Sequence, residues 1–546
     1  MKEDIKKNLI QLLRRTQSSL GFDNFDEEIF LDVPQDSRFG DLSSNIALRL
    51  AKKAKTKAAD IAGRIKDAIK KDLKTSPLAD YVKEVTAEGA GFVNFYLSER
   101  YFSEELKKIV AKGQDALRQD IGKNENVLIE FVSANPTGCL SVAHARQAAV
   151  GDVLAAIFEF LGFKVNREYY LNDEGNQINI LGDSVNLRLK ELEGERVDFP
   201  QDYYQGDYIY DIARKVKEKE SAQVIDLGEY AAKFILEIIK KELQDFGVKF
   251  DVWYSQKSLR ESRKIDQAID FLKKKDFVYG KDGALWFRSE QFGDDKDRVI
   301  IKSDGAYTYL APDIAYHQEK YLRGFKRLIN LWGPDHHGYI SRLKAACQAL
   351  GYARDSLSII IVQLVTIFRE GKPIQMSTRR GQYITMREVL DEVGRDASRF
   401  FFLMRRVSSH LDFDLETAKK QTPENPVYYV QYAHARISSI LRNSQVKINT
   451  QTLNLSLLKE KEELALIRKI LHFRDVLGVC YKTLDPYALT VYLQELAEAF
   501  HKFYDLHRVL DQQEELTQAR LALISGAQIA LATGLELMGI SRPESM

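Results

Sequence analysis

Residues 126–170 constrain the fold more tightly than any other stretch of the chain. Asn126-Val-Leu-Ile-Glu-Phe-Val-Ser133 is short, mostly apolar and rich in β-formers, as expected of a strand covered on both faces. Ala134-Asn-Pro-Thr-Gly-Cys-Leu140 supplies a turn. From Ser141, apolar residues recur at helical spacing (Val142, Ala145, Ala149, Val153, Leu154, Ile157, Phe158, Leu161) until Gly162 ends the run. Residues 165–170 then read as a second strand. Strand, turn, helix, strand is a βαβ unit, so the two strands lie parallel in one sheet. Similar apolar runs at 327–331 and 357–367 extend that sheet.

The flanks differ in character. Residues 1–115 begin with an amphipathic run (Ile5, Leu9, Ile10, Leu12, Leu13 among charges), continue with a helical stretch over 42–74, and carry Phe92-Val-Asn-Phe-Tyr-Leu97 as a strand after a glycine turn. This is read as a small α/β domain. Residues 116–385 hold the parallel sheet, with 190–300 as an insertion bearing Trp253, Tyr254, Tyr279 and Trp286. Residues 386–546 are almost entirely of helical period and predict an all-α bundle.

Charge and cysteine content narrow the function classes. Eighty Lys and Arg against 79 Asp and Glu leave a net charge of +1, which excludes a uniformly polybasic nucleic-acid binder but not a local basic face. Three separated cysteines, Cys139, Cys347 and Cys480, fit a reducing compartment and neither a disulfide framework nor a Cys-rich zinc site. No stretch approaches 18 apolar residues, and the acidic, basic and apolar mixture of residues 1–15 fits neither a secretory signal nor a transit peptide. A cytoplasmic protein without a membrane segment is expected.

Two places carry chemistry. A strand that enters a helix through a Pro/Gly turn leaves backbone N–H groups and the helix dipole pointing at the turn, which makes an anion site, and His144 lies in the first helical turn. The turn is neither G-x-G-x-x-G nor a Walker loop. Gly371-Lys-Pro-Ile-Gln-Met-Ser-Thr-Arg-Arg-Gly381 is a glycine-bounded basic loop, either a clamp for departing phosphate or a solvated turn. A His pair beside an acid, Asp335, His336 and His337, can be read as a metal site, though no third ligand of sensible spacing is nearby.

Taken together, these segments resemble the class I aminoacyl-tRNA synthetases, and specifically arginyl-tRNA synthetases of the bacterial type. Asn135-Pro-Thr-Gly-Cys-Leu-Ser-Val-Ala-His144 is similar to the family's N-P-T-G-x-L-H-x-G-H element, and Gln375-Met-Ser-Thr-Arg379 stands where the family carries its K-M-S-K-S-type loop. Between and beyond them, 167–177, 307–316, 332–338, 396–399 and 425–436 resemble arginyl-enzyme blocks in the same order. The resemblance implies a Rossmann-like parallel-sheet catalytic domain, a small N-terminal α/β domain that touches the tRNA elbow, and a C-terminal helical anticodon-binding bundle.

It also implies the reaction. Arginine and ATP, carried with Mg²⁺, form arginyl-adenylate, and the arginyl group then passes to the 3′ adenosine of tRNA(Arg). The family needs bound tRNA for the first step, uses no structural zinc here, and is usually monomeric. By the same resemblance Glu130, Asn135, Tyr309, Asp313 and Gln363 hold arginine, the acids matching a planar, permanently charged guanidinium. Ser141, His144, Asp335, His336, Gln375, Met376, Ser377 and Arg379 serve ATP, and of these Ser141, His144, Ser377 and Arg379 are the catalytic set. Phe92 and Asn94, then Tyr428, Tyr432, Arg436 and the terminal Met546, are the tRNA contacts. The chain departs from the family pattern at Ser141 (histidine), Ala143 (glycine) and Gln375 (commonly lysine). Those departures motivate a second reading, a non-catalytic homologue that binds tRNA or senses arginine. A third is a class I synthetase for another amino acid.

Overall fold

A computed structural model of the chain describes residues 5–22, 28–34, 36–218, 226–374 and 383–546. The chain forms two compact units.

The first unit gathers residues 1–117, 437–475 and 498–530. Its N-terminal part is an antiparallel sheet in which Phe92–Leu97 lies between Leu42–Ser44 and Val82–Glu88. The helices Ile5–Ser19, Ile46–Ala54, Ala58–Leu73 and Glu99–Lys112 belong to the same unit. The helical stretch expected over 42–74 is interrupted: Leu42–Ser44 is a strand, and the remainder breaks after Ala54, where Lys55 takes φ 51°. Neither Gly nor Pro marks that break, so composition alone does not reveal it. Farther along the chain, buried Arg520 donates through Nε to Glu463 at 2.8 Å.

The second unit holds residues 118–436, 476–497 and 531–546. Its centre is a five-stranded sheet, ordered Leu357–Ile361, Arg327–Trp332, Asn126–Glu130, Lys164–Leu171, Val252–Ser255. Every neighbouring pair is parallel. Asn126–Glu130 and Lys164–Leu171 are joined by the helix Val142–Phe160, as the βαβ reading requires. That helix is buried almost all round: its small residues (Ala145, Ala148, Ala149, Ala155) permit close packing, and the position where a Cβ on Gly151 would stand is 2.2 Å from the Phe131 ring. The stretch read as an insertion is not wholly separate, because Val252–Ser255 is the edge strand of this sheet. The antiparallel trio Val278–Lys281, Ala284–Phe287 and Arg298–Ile301 does stand as a sheet of its own. Within the region read as all-α, Leu411–Asp414 is a short strand paired in parallel with Val365–Arg369.

Chain order places the functional edge. The polypeptide lays down Asn126–Glu130, then builds outward on one side to Val252–Ser255, and returns to the opposite side with Arg327–Trp332. The order therefore reverses between Asn126–Glu130 and Arg327–Trp332. In open parallel sheets, ligands bind beyond the strands' carboxyl ends at such a reversal.

Candidate functional site

The strand Asn126–Glu130 ends in a strained turn. Val132 and Ser133 both take left-handed φ, 68° and 40°, and for a β-branched residue that is a costly conformation. It folds Ser133 back so that its hydroxyl donates to Glu130 Oε1 at 3.2 Å and accepts the Tyr170 N–H at 3.1 Å. Tyr169 donates to the Ala134 carbonyl, and Asn135 donates through Nδ2 to Gln177 Oε1 at 2.6 Å. Farther along the loop, Tyr208 bonds the Thr137 carbonyl and Tyr383 the Cys139 carbonyl.

Ser141 caps the helix Val142–Phe160, and its backbone N–H donates to His144 Nδ1 at 3.1 Å. With Nδ1 accepting, the imidazole carries its proton on Nε2, the tautomer assigned by this bond. Burial pushes His144 down to about 4, against the pull of Asp335, so at neutral pH the ring is an uncharged donor. Asp335 lies 3.3 Å from His336 Nε2 in the short 3₁₀ helix Pro334–Tyr339, directly after the strand Arg327–Trp332.

The same short helix reaches the acids. Tyr339 donates to Asp313 Oδ2 at 2.6 Å. Asp313 sits in the first turn of the helix Leu310–Leu322 and is no cap. Burial raises its carboxyl to about 7. The Tyr339 hydrogen bond opposes the rise, nearby Glu130 adds to it, and Lys320 again opposes it. Asp313 therefore lies close enough to Glu130 and Lys320 to feel their charges, and Tyr339 ties it to Pro334–Tyr339.

Glu130 is not idle. The Lys320 ammonium, itself fully buried, is paired with Glu130 Oε2 and also reaches Asn330 Oδ1 at 3.3 Å. Asn330, Glu130 and Glu168 are register partners across three adjacent strands, so they stand in a row on one face of the sheet. Facing the row, Asp313, Tyr316, His317 and Lys320 recur at three- and four-residue spacing on one helix face. Tyr316 donates to Glu168, which also takes both terminal nitrogens of Arg323. The remaining arginine candidates are more open. Tyr309 is 83% exposed, and Gln363 is half-buried with its carbonyl held by Arg146 Nη1 at 2.8 Å. Tyr339, Ser133 and Lys320 were not singled out by sequence reasoning, although Lys320 follows Asp313 by seven residues, two helical turns on the same face. Gln375, Met376, Ser377 and Arg379 lie outside the described residues.

The proposed tRNA residues separate on inspection. Phe92 is 41% exposed, whereas Asn94 is buried and its amide oxygen accepts from Ser43 Oγ at 2.6 Å. Asn94 stands on the same face of its strand as Phe92, two residues on. In the second unit, the rings of Tyr428 and Tyr432 stack nearly parallel, 7° apart at 6.2 Å, and Arg436 bonds the Tyr432 hydroxyl at 2.7 Å. Met546 lines a cleft of about 810 Å³ with Tyr428, Arg395, Lys419 and Lys420. The tail is held there by Gln431 donating to the Ser541 carbonyl and His434 to that of Pro543.

No three His, Cys, Asp or Glu side chains among the described residues are grouped to hold a metal ion. No helix among them is long and apolar enough to cross a membrane.

A doubly wound parallel sheet with a capped helix N-terminus at its switch point, opening beside a buried acid, defines the nucleotide-binding catalytic domain of a class I synthetase. Residues 105–410 match the class I tRNA synthetase (R) catalytic domain, residues 1–97 the arginyl tRNA synthetase N-terminal domain, and residues 430–546 the DALR anticodon-binding domain. The chain belongs to the arginyl-tRNA synthetase family. It is 45% identical to an arginine–tRNA ligase of Geobacillus kaustophilus over 99% of both chains. A crystal structure described as an arginyl-tRNA synthetase from Campylobacter jejuni is 37% identical, with a TM-score of 0.76 over 82% of this chain and 100% of that one. The Thermus thermophilus arginyl-tRNA synthetase, 22% identical, shares the fold with a TM-score of 0.79 over the whole of both chains.

Proposed function

We propose that the crevice between Asn126–Glu130 and Arg327–Trp332 carries both half-reactions of the family. The protein is an ATP-dependent arginine–tRNA ligase. In the first step an arginine carboxylate oxygen attacks the α-phosphorus of ATP and pyrophosphate leaves. In the second, a hydroxyl of the 3′ adenosine of tRNA(Arg) attacks the activated carbonyl and AMP leaves. Mg²⁺ arrives on the ATP phosphates as part of that substrate.

The residues divide the work. Asp313, with Glu130 behind it, receives the guanidinium; Tyr309 and Gln363 border that pocket, and Asn135 orients the α-amino or carboxylate end. His144 Nε2–H and the helix N-terminus donate to the phosphates, Ser141 holds the imidazole in its donor tautomer, and Asp335 and His336 flank adenosine. Because His144 is neutral, positive charge toward pyrophosphate falls to the basic loop of Gln375, Met376, Ser377 and Arg379. Phe92 meets the tRNA in the N-terminal domain; Tyr428, Tyr432, Arg436 and Met546 meet it in the C-terminal one. The enzyme works as a monomer in the cytoplasm.

One observation carries this reading: Tyr339, in the short helix directly after Arg327–Trp332, donates to Asp313 at 2.6 Å, so the segment beyond the strand at the sheet's reversal is tied to the acid assigned to arginine. The test is His144→Ala in arginine-dependent ATP–pyrophosphate exchange with tRNA present. Loss of one preorganised donor predicts a fall of about 10²–10³-fold; an unchanged rate removes His144 from the mechanism.

A further inference from the structure

We infer that Lys320 is the residue that makes the pocket reject lysine, by placing a resident ammonium against Glu130. The inference rests on the reading of Asp313 and Glu130 as the arginine pocket.

A point-charge ammonium is satisfied by a compact group of oxygens, and a guanidinium by a flat carboxylate edge. Glu130, at the end of its strand, provides the first arrangement together with Asn330 on the next strand. Lys320 already fills it, paired with Glu130, 3.3 Å from Asn330 Oδ1 and 4.2 Å above the Tyr316 ring, with no solvent exposure. The position is built: His317 holds Asn330 Nδ2 at 2.9 Å and is itself bonded to the Asp313 carbonyl at 2.8 Å, so the amide oxygen is aimed at Lys320. The Asp313 carboxylate, seven residues before Lys320 on the same helix face, is bonded only by Tyr339 among the described side-chain hydrogen bonds.

Two consequences follow for an incoming amino acid. Glu130 and Asp313 together carry two negative charges when ionised, and Lys320 cancels one, so the pocket matches a single cationic head. A guanidinium can lie against Asp313 without displacing Lys320. The ammonium of a substrate lysine seeks the compact group behind, where it meets a like charge that cannot leave. In a low-dielectric site such repulsion is stronger than in water, and specificity built on a repulsive element needs no editing step. Without the Lys320 charge, Glu130 and Asn330 become an open ammonium site.

The test is tRNA-supported ATP–pyrophosphate exchange by the full chain, with arginine and lysine measured side by side. Lys320→Gln keeps hydrogen bonding toward Glu130 and Asn330 and removes the charge; Lys320→Met is the apolar counterpart should the amide disturb folding. Either folded variant is expected to raise kcat/KM for lysine above wild type and to lower the arginine-to-lysine ratio at least tenfold. Adding Glu130→Gln to Lys320→Met is expected to abolish the lysine gain, since the captured ammonium loses its carboxylate. A ratio within threefold of wild type, or an equal fall for both amino acids, means that Lys320 only supports the fold and overturns the inference. Asp313→Asn separates the two claims: an unchanged KM for arginine in that variant defeats the pocket reading itself.

Discussion

At the scale of single residues, the environment of each side chain decides what it can do. His144 reads in the sequence as a residue placed to reach a phosphate, and with the Ser141 N–H on its Nδ1 and burial keeping it neutral it would do so as an uncharged donor. Asp313 runs the other way, a carboxyl raised to about 7. In the proposed pocket, Asp313 holds a proton below about pH 7 when the pocket is empty, and a bound guanidinium calls for the anion. Arginine binding must then eject that proton, so KM for arginine rises as pH falls below about 7, by up to about tenfold per unit, and levels off above it. Exchange kinetics between pH 5.5 and 8.5 check this, and a flat KM across that range contradicts it. Glu130 and Asp313 could be nominated from the sequence by the family resemblance, Asp313 within the 307–316 block and Glu130 just ahead of Asn135. Lys320 could not, since a lysine on a helix is ordinarily a solvated charge and only the facing strand row turns it inward.

At the scale of elements, patterning located the βαβ core because a short apolar run and an apolar period of 3.6 are properties of the sequence itself. The helix Val142–Phe160, its turn and the strand Lys164–Leu171 stand close to where that pattern puts them. What it could not supply are features set by other parts of the chain. Val252–Ser255 joins the sheet from inside a charged, helix-rich stretch, and Leu42–Ser44 becomes a strand only because Phe92–Leu97 is there to pair with it. The close approach of Gly151 to Phe131 sets how near the catalytic helix lies to the sheet. Gly151→Ala forces a methyl into that contact and is expected to cost about 1–3 kcal/mol. Urea unfolding reads this as a lowered midpoint, and a wild-type midpoint shows that helix and strand have room to spare.

At the scale of the molecule, the chain matches an N-terminal domain, a class I catalytic domain and an anticodon-binding domain in one order, and the proposed arginine pocket draws on the catalytic one alone. The departure at Ser141 leaves the start of the helix in place: Ser141 still caps it and orients His144. The most direct measurement is ATP–pyrophosphate exchange with each of the twenty amino acids, with and without tRNA(Arg). Exchange supported by arginine alone, and only with the tRNA present, is the predicted result. Exchange with a different amino acid, or none with arginine under either condition, contradicts it.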